Sequence, residues 1–280
     1  MTYKTAAAFR RALTDRLNRQ AQAEGSNITR LMKRVAFERF LARLFLSRSG
    51  RWVLKGGYAL ELRLGDRART TKDLDLAVPP PPSDSLLEEL QAVAEHDLED
   101  FFRFRVSQMR GELAGPPLGG YRFRVEALLD GRSYTAFPLD IGQGDVTTGA
   151  PERALGNVDL GFAGIARPEL VIYPLVDHFA DKLHAYTTPR ENPSRVKDLV
   201  DMLLLLELGL TASSELKESI EATFERYERH VFPDALPKPP PTWQKAFGRL
   251  AEEVNLADTN LDEAFTTVET FLIDSDLLNR

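Results

Sequence analysis

The sequence predicts an α+β fold: N-terminal helices lead into a small mixed sheet, and a helical C-terminal lobe follows. Three observations carry this prediction. Apolar residues recur at helical spacing up to about residue 47. Alternating, β-type segments occupy much of 73–141, two of them joined by the hairpin signal Asp130-Gly131. From Pro174 the helical period returns and holds almost to the end. The expected lobes are therefore 1–168 and 169–280, with the functional site in the cleft between them.

Helices are expected at 5–22 and 27–47. Asn27 or Ser26 caps the second, because a short polar side chain accepts the free amide hydrogens of a first turn. Ile28, Leu31, Val35, Phe37, Leu41 and Leu44 form its apolar stripe. Trp52–Leu54 is a short apolar run ending at Lys55-Gly56-Gly57, and a helix continues over Tyr58–Leu64. Residues 73–78 alternate as a strand, which Pro79–Pro82 stop because proline lacks the ladder donor. An acidic helix spans 84–100, followed by β-type segments at 101–107, 121–129 and 134–141. Helices follow at 174–187, 193–208, 212–230 and 260–278, with a proline-rich break before the last.

Composition narrows the chemistry. With 280 residues and 43% hydrophobic content the chain can bury a sizeable core. It contains no cysteine, which excludes disulfides, thiolate zinc sites and cysteine nucleophiles. No apolar run is long enough for a membrane span, and the first residues read as helix rather than signal peptide, so a cytoplasmic location is expected. The net charge of -6 is unevenly distributed. Residues 1–72 hold 17 Lys and Arg against 5 Asp and Glu, and the remainder is acidic. Either a basic face awaits a polyanion, or basic and acidic parts pair with each other.

The sharpest chemical feature lies within 55–76. Residues two apart on a strand share a face, so Asp73 and Asp75 project together while Leu74 and Leu76 face the core. Adjacent carboxylates repel unless a cation sits between them, and such oxygen donors suit Mg²⁺ or Mn²⁺ carrying substrate phosphates. Gly56-Gly57 precedes a helix, where small residues and free amides admit phosphate closely. Lys55, Arg67 and Arg69 add positive charge.

This arrangement resembles the opening motif of the DNA polymerase β-type nucleotidyltransferase superfamily. Within it, Lys55-Gly56-Gly57, Arg69-x-Thr71-x-Asp73-Leu-Asp75 and Lys197-Asp198 resemble the AbiEii/MenT toxins of type IV-like toxin–antitoxin systems. The resemblance runs from about Phe37 to Asp201. It departs from the common pattern in having Gly-Gly for Gly-Ser and 15 residues between Gly57 and Asp73.

The resemblance implies a nucleotidyltransferase-type mixed sheet, an NTP substrate, and a metal held by Asp73, Asp75 and a third carboxylate, for which Asp140 is the candidate. It assigns Lys182 and Asp198 to the catalytic set, and Lys55, Gly56, Gly57, Arg69 and Thr71 to nucleotide binding. Read from the residues alone, Asp140 is equally a strand-end turn residue, and Lys182 a surface lysine paired with a helical acid. Asp198 and Asp201 share a helix face that could be a solvated ion-pair surface with Arg195 and Lys197. The resemblance also makes Thr71 a control point, since a phosphate there would repel triphosphate; from the residues alone it is equally an ordinary strand threonine, with Thr70 as available a neighbour. His96, His178, His184 and His230 show no metalloprotease spacing. The implied activity is NMP transfer to RNA, with the tRNA 3′ acceptor end as target, translation blocked, and a cognate antitoxin as partner. The alternatives are nucleotidylation of a protein or small molecule, and a non-catalytic RNA- or partner-binding module.

Overall fold

A computed structural model describes residues 2–47, 51–78, 86–112, 119–145, 147–189, 195–257 and 259–278. The proline stop at 79–82 and the starts of the helices expected from 84 and 193 lie outside them. The chain divides into two compact units.

The first unit comprises Met1–Arg63, Thr70–Gln143 and Arg153–Ile172. It opens with α1 (Ala6–Glu24), capped by the Thr5 hydroxyl and closed by Gly25 in the left-handed region. α2 (Ile28–Ser47) begins where the Asn27 side chain accepts the Thr29 amide at 2.8 Å, so Asn27 is the cap. β1 (Val53–Lys55) runs directly into α3 (Gly56–Leu64), and β2 (Leu74–Val78) pairs antiparallel to β1.

α4 covers Leu86–Glu95 and stops well short of 100. The reason is tertiary. Asp100 is fully buried and accepts hydrogen bonds from Arg39 (2.8 Å) and Arg43 (2.7 and 3.0 Å) on α2. Delivering that carboxylate takes Glu99 and Phe101 to positive φ, which no helix allows.

β3 (Phe102–Glu112), β4 (Gly120–Leu129) and β5 (Arg132–Gln143) form an antiparallel run, each longer than alternation suggested. Asp130 and Gly131 both take positive φ in the β4–β5 turn, as Asp-Gly predicts. β6 (Glu152–Leu155) and β7 (Glu169–Ile172), too short for pattern reading, complete a seven-stranded mixed sheet in the order β3-β4-β5-β2-β1-β7-β6. β7 follows the expected lobe boundary yet pairs parallel to β1, and β2 pairs parallel to β5. α2 packs Phe37 and Phe40 edge-on against Phe137 of β5, anchoring the core on one sheet face.

The second unit comprises Leu64–Arg69, Gly144–Glu152 and Tyr173–Arg280. It holds α5 (Leu175–Thr187), α6 (Val196–Glu207), α7 (Ser214–Tyr227), α8 (Gln244–Glu253) and α9 (Leu261–Asp274). α8 lies inside the stretch read as a proline-rich break. Its helical signal was present in Trp243, Phe247, Leu250, Ala251 and Val254, all buried, but the prolines masked it; Pro241 begins a 3₁₀ turn, where its missing donor costs nothing. Asp177 of α5, fully buried, accepts from the Thr148 amide and hydroxyl, the Gly149 amide and the Ser219 hydroxyl, so the 144–152 segment is tied to α5 and α7. Among the described residues no helix is long and apolar enough to cross a membrane.

Candidate active site

In the first unit the sheet register brings the predicted carboxylates together. Leu74 and Leu76 are fully buried, so alternation turns Asp75 to the opposite face. Asp75 is the register partner of Asp140 across the parallel β2–β5 pair, and of Lys55 across the antiparallel β1–β2 pair. Asp140, flanked by buried Leu139 and Ile141, therefore projects beside Asp75 and is not a turn residue. Asp73 lies in the bend just before β2, where its side chain accepts the Thr71 hydroxyl at 3.2 Å. Thr71 is itself buried.

Gly56 sits at φ +66°, a conformation that penalises any side chain. A Cβ there would also collide with Asp75 Oδ2. Two independent constraints thus demand glycine, and both serve the approach of β1 and α3 to the Asp75 carboxylate. Gly57, by contrast, is an ordinary buried position within α3.

A residue that the sequence reading overlooked stands among these acids. Arg122 of β4 is the register partner of Asp140 and grips both its oxygens, at 2.7 and 2.5 Å. Its pKa is raised, first by the Asp140 hydrogen bond and further by the Asp140, Asp73 and Asp75 charges. All three carboxylates thus act on one guanidinium. Among the described residues no group of three or more acids or histidines is gathered tightly enough to hold a metal. The donor chemistry is of the kind a hard divalent cation takes, since Asp75 and Asp140 present carboxylate oxygens from paired positions on adjacent strands. Each Asp140 oxygen accepts one Arg122 hydrogen bond and keeps a further lone pair for a metal.

In the second unit the expected solvated acid face proves to be buried. Asp201 has 0% exposure, and its oxygens meet Arg69 at 2.8 Å twice and Lys182 at 2.8 Å. Lys182 keeps only 14% of its side chain exposed and also reaches Asp198 at 3.4 Å. Asp198 is in turn held by Arg195 at 3.2 Å, while Lys197 is exposed. Burial would lower the Lys182 pKa, but Asp201 and Asp198 outweigh it and the net shift is upward. Burial would likewise raise Asp201, yet Lys182 and Arg69 hold it well below the usual carboxylate range. Lys182 is therefore a fixed cation and not a proton acceptor at neutral pH. Arg69, expected among the phosphate ligands, is committed here to Asp201, and Arg67 pairs with Glu207. A signal for Asp201 existed in its helical spacing from Asp198, but burial is not readable from spacing.

Part of the basic charge of residues 1–72 is consumed internally. Arg30 and Arg34 pair with buried Glu61, Arg39 and Arg43 with Asp100, and Arg10 donates to the Leu129, Arg132 and Ser133 carbonyls. Part of the charge asymmetry is internal pairing, through Arg39 and Arg43 with Asp100, Arg67 with Glu207 and Arg69 with Asp201.

The family model for the AbiEii toxin, a nucleotidyl transferase of type IV toxin–antitoxin systems, matches residues 39–269. Among solved structures the chain is similar to MenT4, a nucleotidyltransferase toxin from Mycobacterium tuberculosis H37Rv, at 17% identity and a TM-score of 0.54 over 95% of this chain and 99% of that one. It is also similar to JHP933 from Helicobacter pylori, at 15% identity and a TM-score of 0.44 over 88% and 91%. No curated protein matches the sequence.

Proposed function

The chain belongs to the AbiEii nucleotidyltransferase toxin family, and from that premise we propose that it transfers NMP from an NTP to an RNA 3′ end, that of tRNA in particular, and so blocks translation. The observation that carries nucleotidyl transfer is the register that sets Asp75 beside Asp140 with Asp73 just upstream. Mg²⁺ or Mn²⁺, held by Asp73, Asp75 and Asp140, would supply the positive charge that activates the attacking oxygen and neutralises the departing pyrophosphate.

The chain's own residues do the rest. The Gly56 approach and Lys55 shape and charge the rim beside Asp75. Lys182, kept cationic by Asp201 and Asp198, stabilises negative charge building on the triphosphate. Asp198 and Asp201 hold its ammonium in place, and Arg69 keeps Asp201 charged. The RNA 3′-oxygen, its proton released to water, forms the new bond to the α-phosphorus as the bond from that phosphorus to the bridging oxygen of the β-phosphate breaks and pyrophosphate leaves.

A toxin of this family implies a cognate antitoxin. Thr71 is a candidate for its control, because a phosphate on that hydroxyl would take the place of the Asp73 hydrogen bond; its burial means that modification requires the segment to open.

Incubation with tRNA and each α-labelled NTP tests the reading. Label in the RNA, lost on Asp73→Ala and Asp75→Ala, is expected. Protein that binds NTP but labels no RNA would overturn it.

A further inference from the structure

The sheet face that carries Asp75 and Asp140 continues outward as a row of arginines. Along β4, residues 121, 123, 125, 127 and 129 alternate with 122, 124, 126 and 128, and the buried Phe123, Val125, Ala127 and Leu129 fix the first set as the core side. Arg122 and Arg124 therefore share the outer face. The β3–β4 register sets Ser107 beside Arg124, Arg105 beside Glu126 and Arg103 beside Leu128, on that same face. Read outward from the carboxylates, the order is Arg122, Arg124, Arg105, Arg103. Successive positions on one strand are about 6.6 Å apart and the strands about 4.8 Å, so the row spans on the order of 20 Å.

These arginines differ in kind from those of α2. Arg105 is 73% exposed and meets Glu126 only at 3.7 Å. Arg103 is 56% exposed, and its partner Asp97 is itself half exposed. Arg124 is exposed and makes no ion pair among the described residues. Exposed pairs of this sort contribute little and exchange readily for a phosphate. The Arg39, Arg43 and Asp100 cluster is buried and cannot be exchanged in this way.

We propose that the outer face of β3 and β4, through Arg103, Arg105 and Arg124, is the track along which the single-stranded 3′ end of the RNA acceptor runs to the carboxylates. The inference rests on the function proposed above and assigns it a surface. A row one arginine wide suits a single phosphate backbone, and it ends at the acids proposed to hold the reacting triphosphate. An acidic protein partner would find the same charges but would gain nothing from that ending.

The test is the full-length variant Arg103→Gln/Arg105→Gln/Arg124→Gln, with tRNA binding measured by fluorescence anisotropy across a salt series. A control variant, Arg11→Gln/Arg16→Gln/Arg19→Gln, removes the same charge from the exposed side of α1. The track variant should bind RNA at least ~10-fold more weakly at low salt. Its log–log salt slope should fall by about 2, at roughly 0.7 per lost single-strand phosphate contact. Labelled-NTP binding should be unchanged, which reports an intact fold. The α1 variant should lose much less. Equal losses in the two variants, or unchanged RNA affinity in the track variant, would overturn the track while leaving RNA as acceptor. Wild-type protein that neither binds nor labels RNA would overturn the function itself, and the track with it.

Discussion

Asp201→Asn removes one negative charge from a place with no exposure and leaves its volume almost unchanged. Three charge-assisted contacts end on this carboxylate, two from Arg69 and one from Lys182, all at 2.8 Å. Hydrogen bonds to charged groups contribute roughly 1.5–3 kcal/mol each, so the three would sum to about 5–9 kcal/mol if nothing relaxed. Relaxation is available, because Lys182 can lean toward Asp198, already 3.4 Å away. The expected cost is therefore the ~3–5 kcal/mol typical of leaving a buried charge uncompensated. Urea unfolding at neutral pH measures it, and a double-mutant cycle isolates the pair. Lys182→Met in the Asp201→Asn background should cost at least ~1 kcal/mol less than in wild type, since the orphaned cation is then gone. A single-variant loss below ~1 kcal/mol, or strict additivity in the cycle, would refute the claim that Asp201 is the buried keystone of the lysine site.

Four further outcomes follow from the same geometry. The Asp201 pKa is depressed in the folded state, so its stabilisation is complete above the unfolded value of about 3.9 and is lost as pH falls below it; wild type should lose more stability than Asp201→Asn between pH 6 and pH 3 by urea titration. Gly56→Ala places a Cβ at positive φ and against Asp75, at a backbone cost of about 1–2 kcal/mol, and should abolish nucleotidyl transfer while the chain still folds by circular dichroism. Lys182→Met should lower kcat roughly 10²–10³-fold with little change in NTP affinity, because a fixed cation acts mainly on developing charge; an effect confined to KM would argue against that role. Asp140→Asn should weaken Mn²⁺ binding by isothermal titration comparably to Asp75→Asn; undiminished Mn²⁺ affinity would remove Asp140 from the metal set and leave it as the partner of Arg122 alone.

Much of this protein could be read along the chain, wherever the signal is local. Strand alternation told which way Asp75 and Asp140 point, the Asp130-Gly131 turn located the hairpin, and the helical periods of 5–22, 27–47 and the C-terminal part emerged within a few residues of their ends. The Lys55–Asp75 motif carried the family, which the match over residues 39–269 bears out.

Burial and long-range pairing were decided elsewhere. Asp100 ends α4 because two arginines some sixty residues earlier claim its carboxylate. Arg122 meets Asp140 only because β4 and β5 settle in one register, and Asp201 is a buried keystone only because Lys182 and Arg69 arrive from other segments of its unit. A charged residue carries the same letter whether it is solvated or enclosed. Its partner, which decides between the two, is set by the packing of the whole unit and not by its neighbours in sequence.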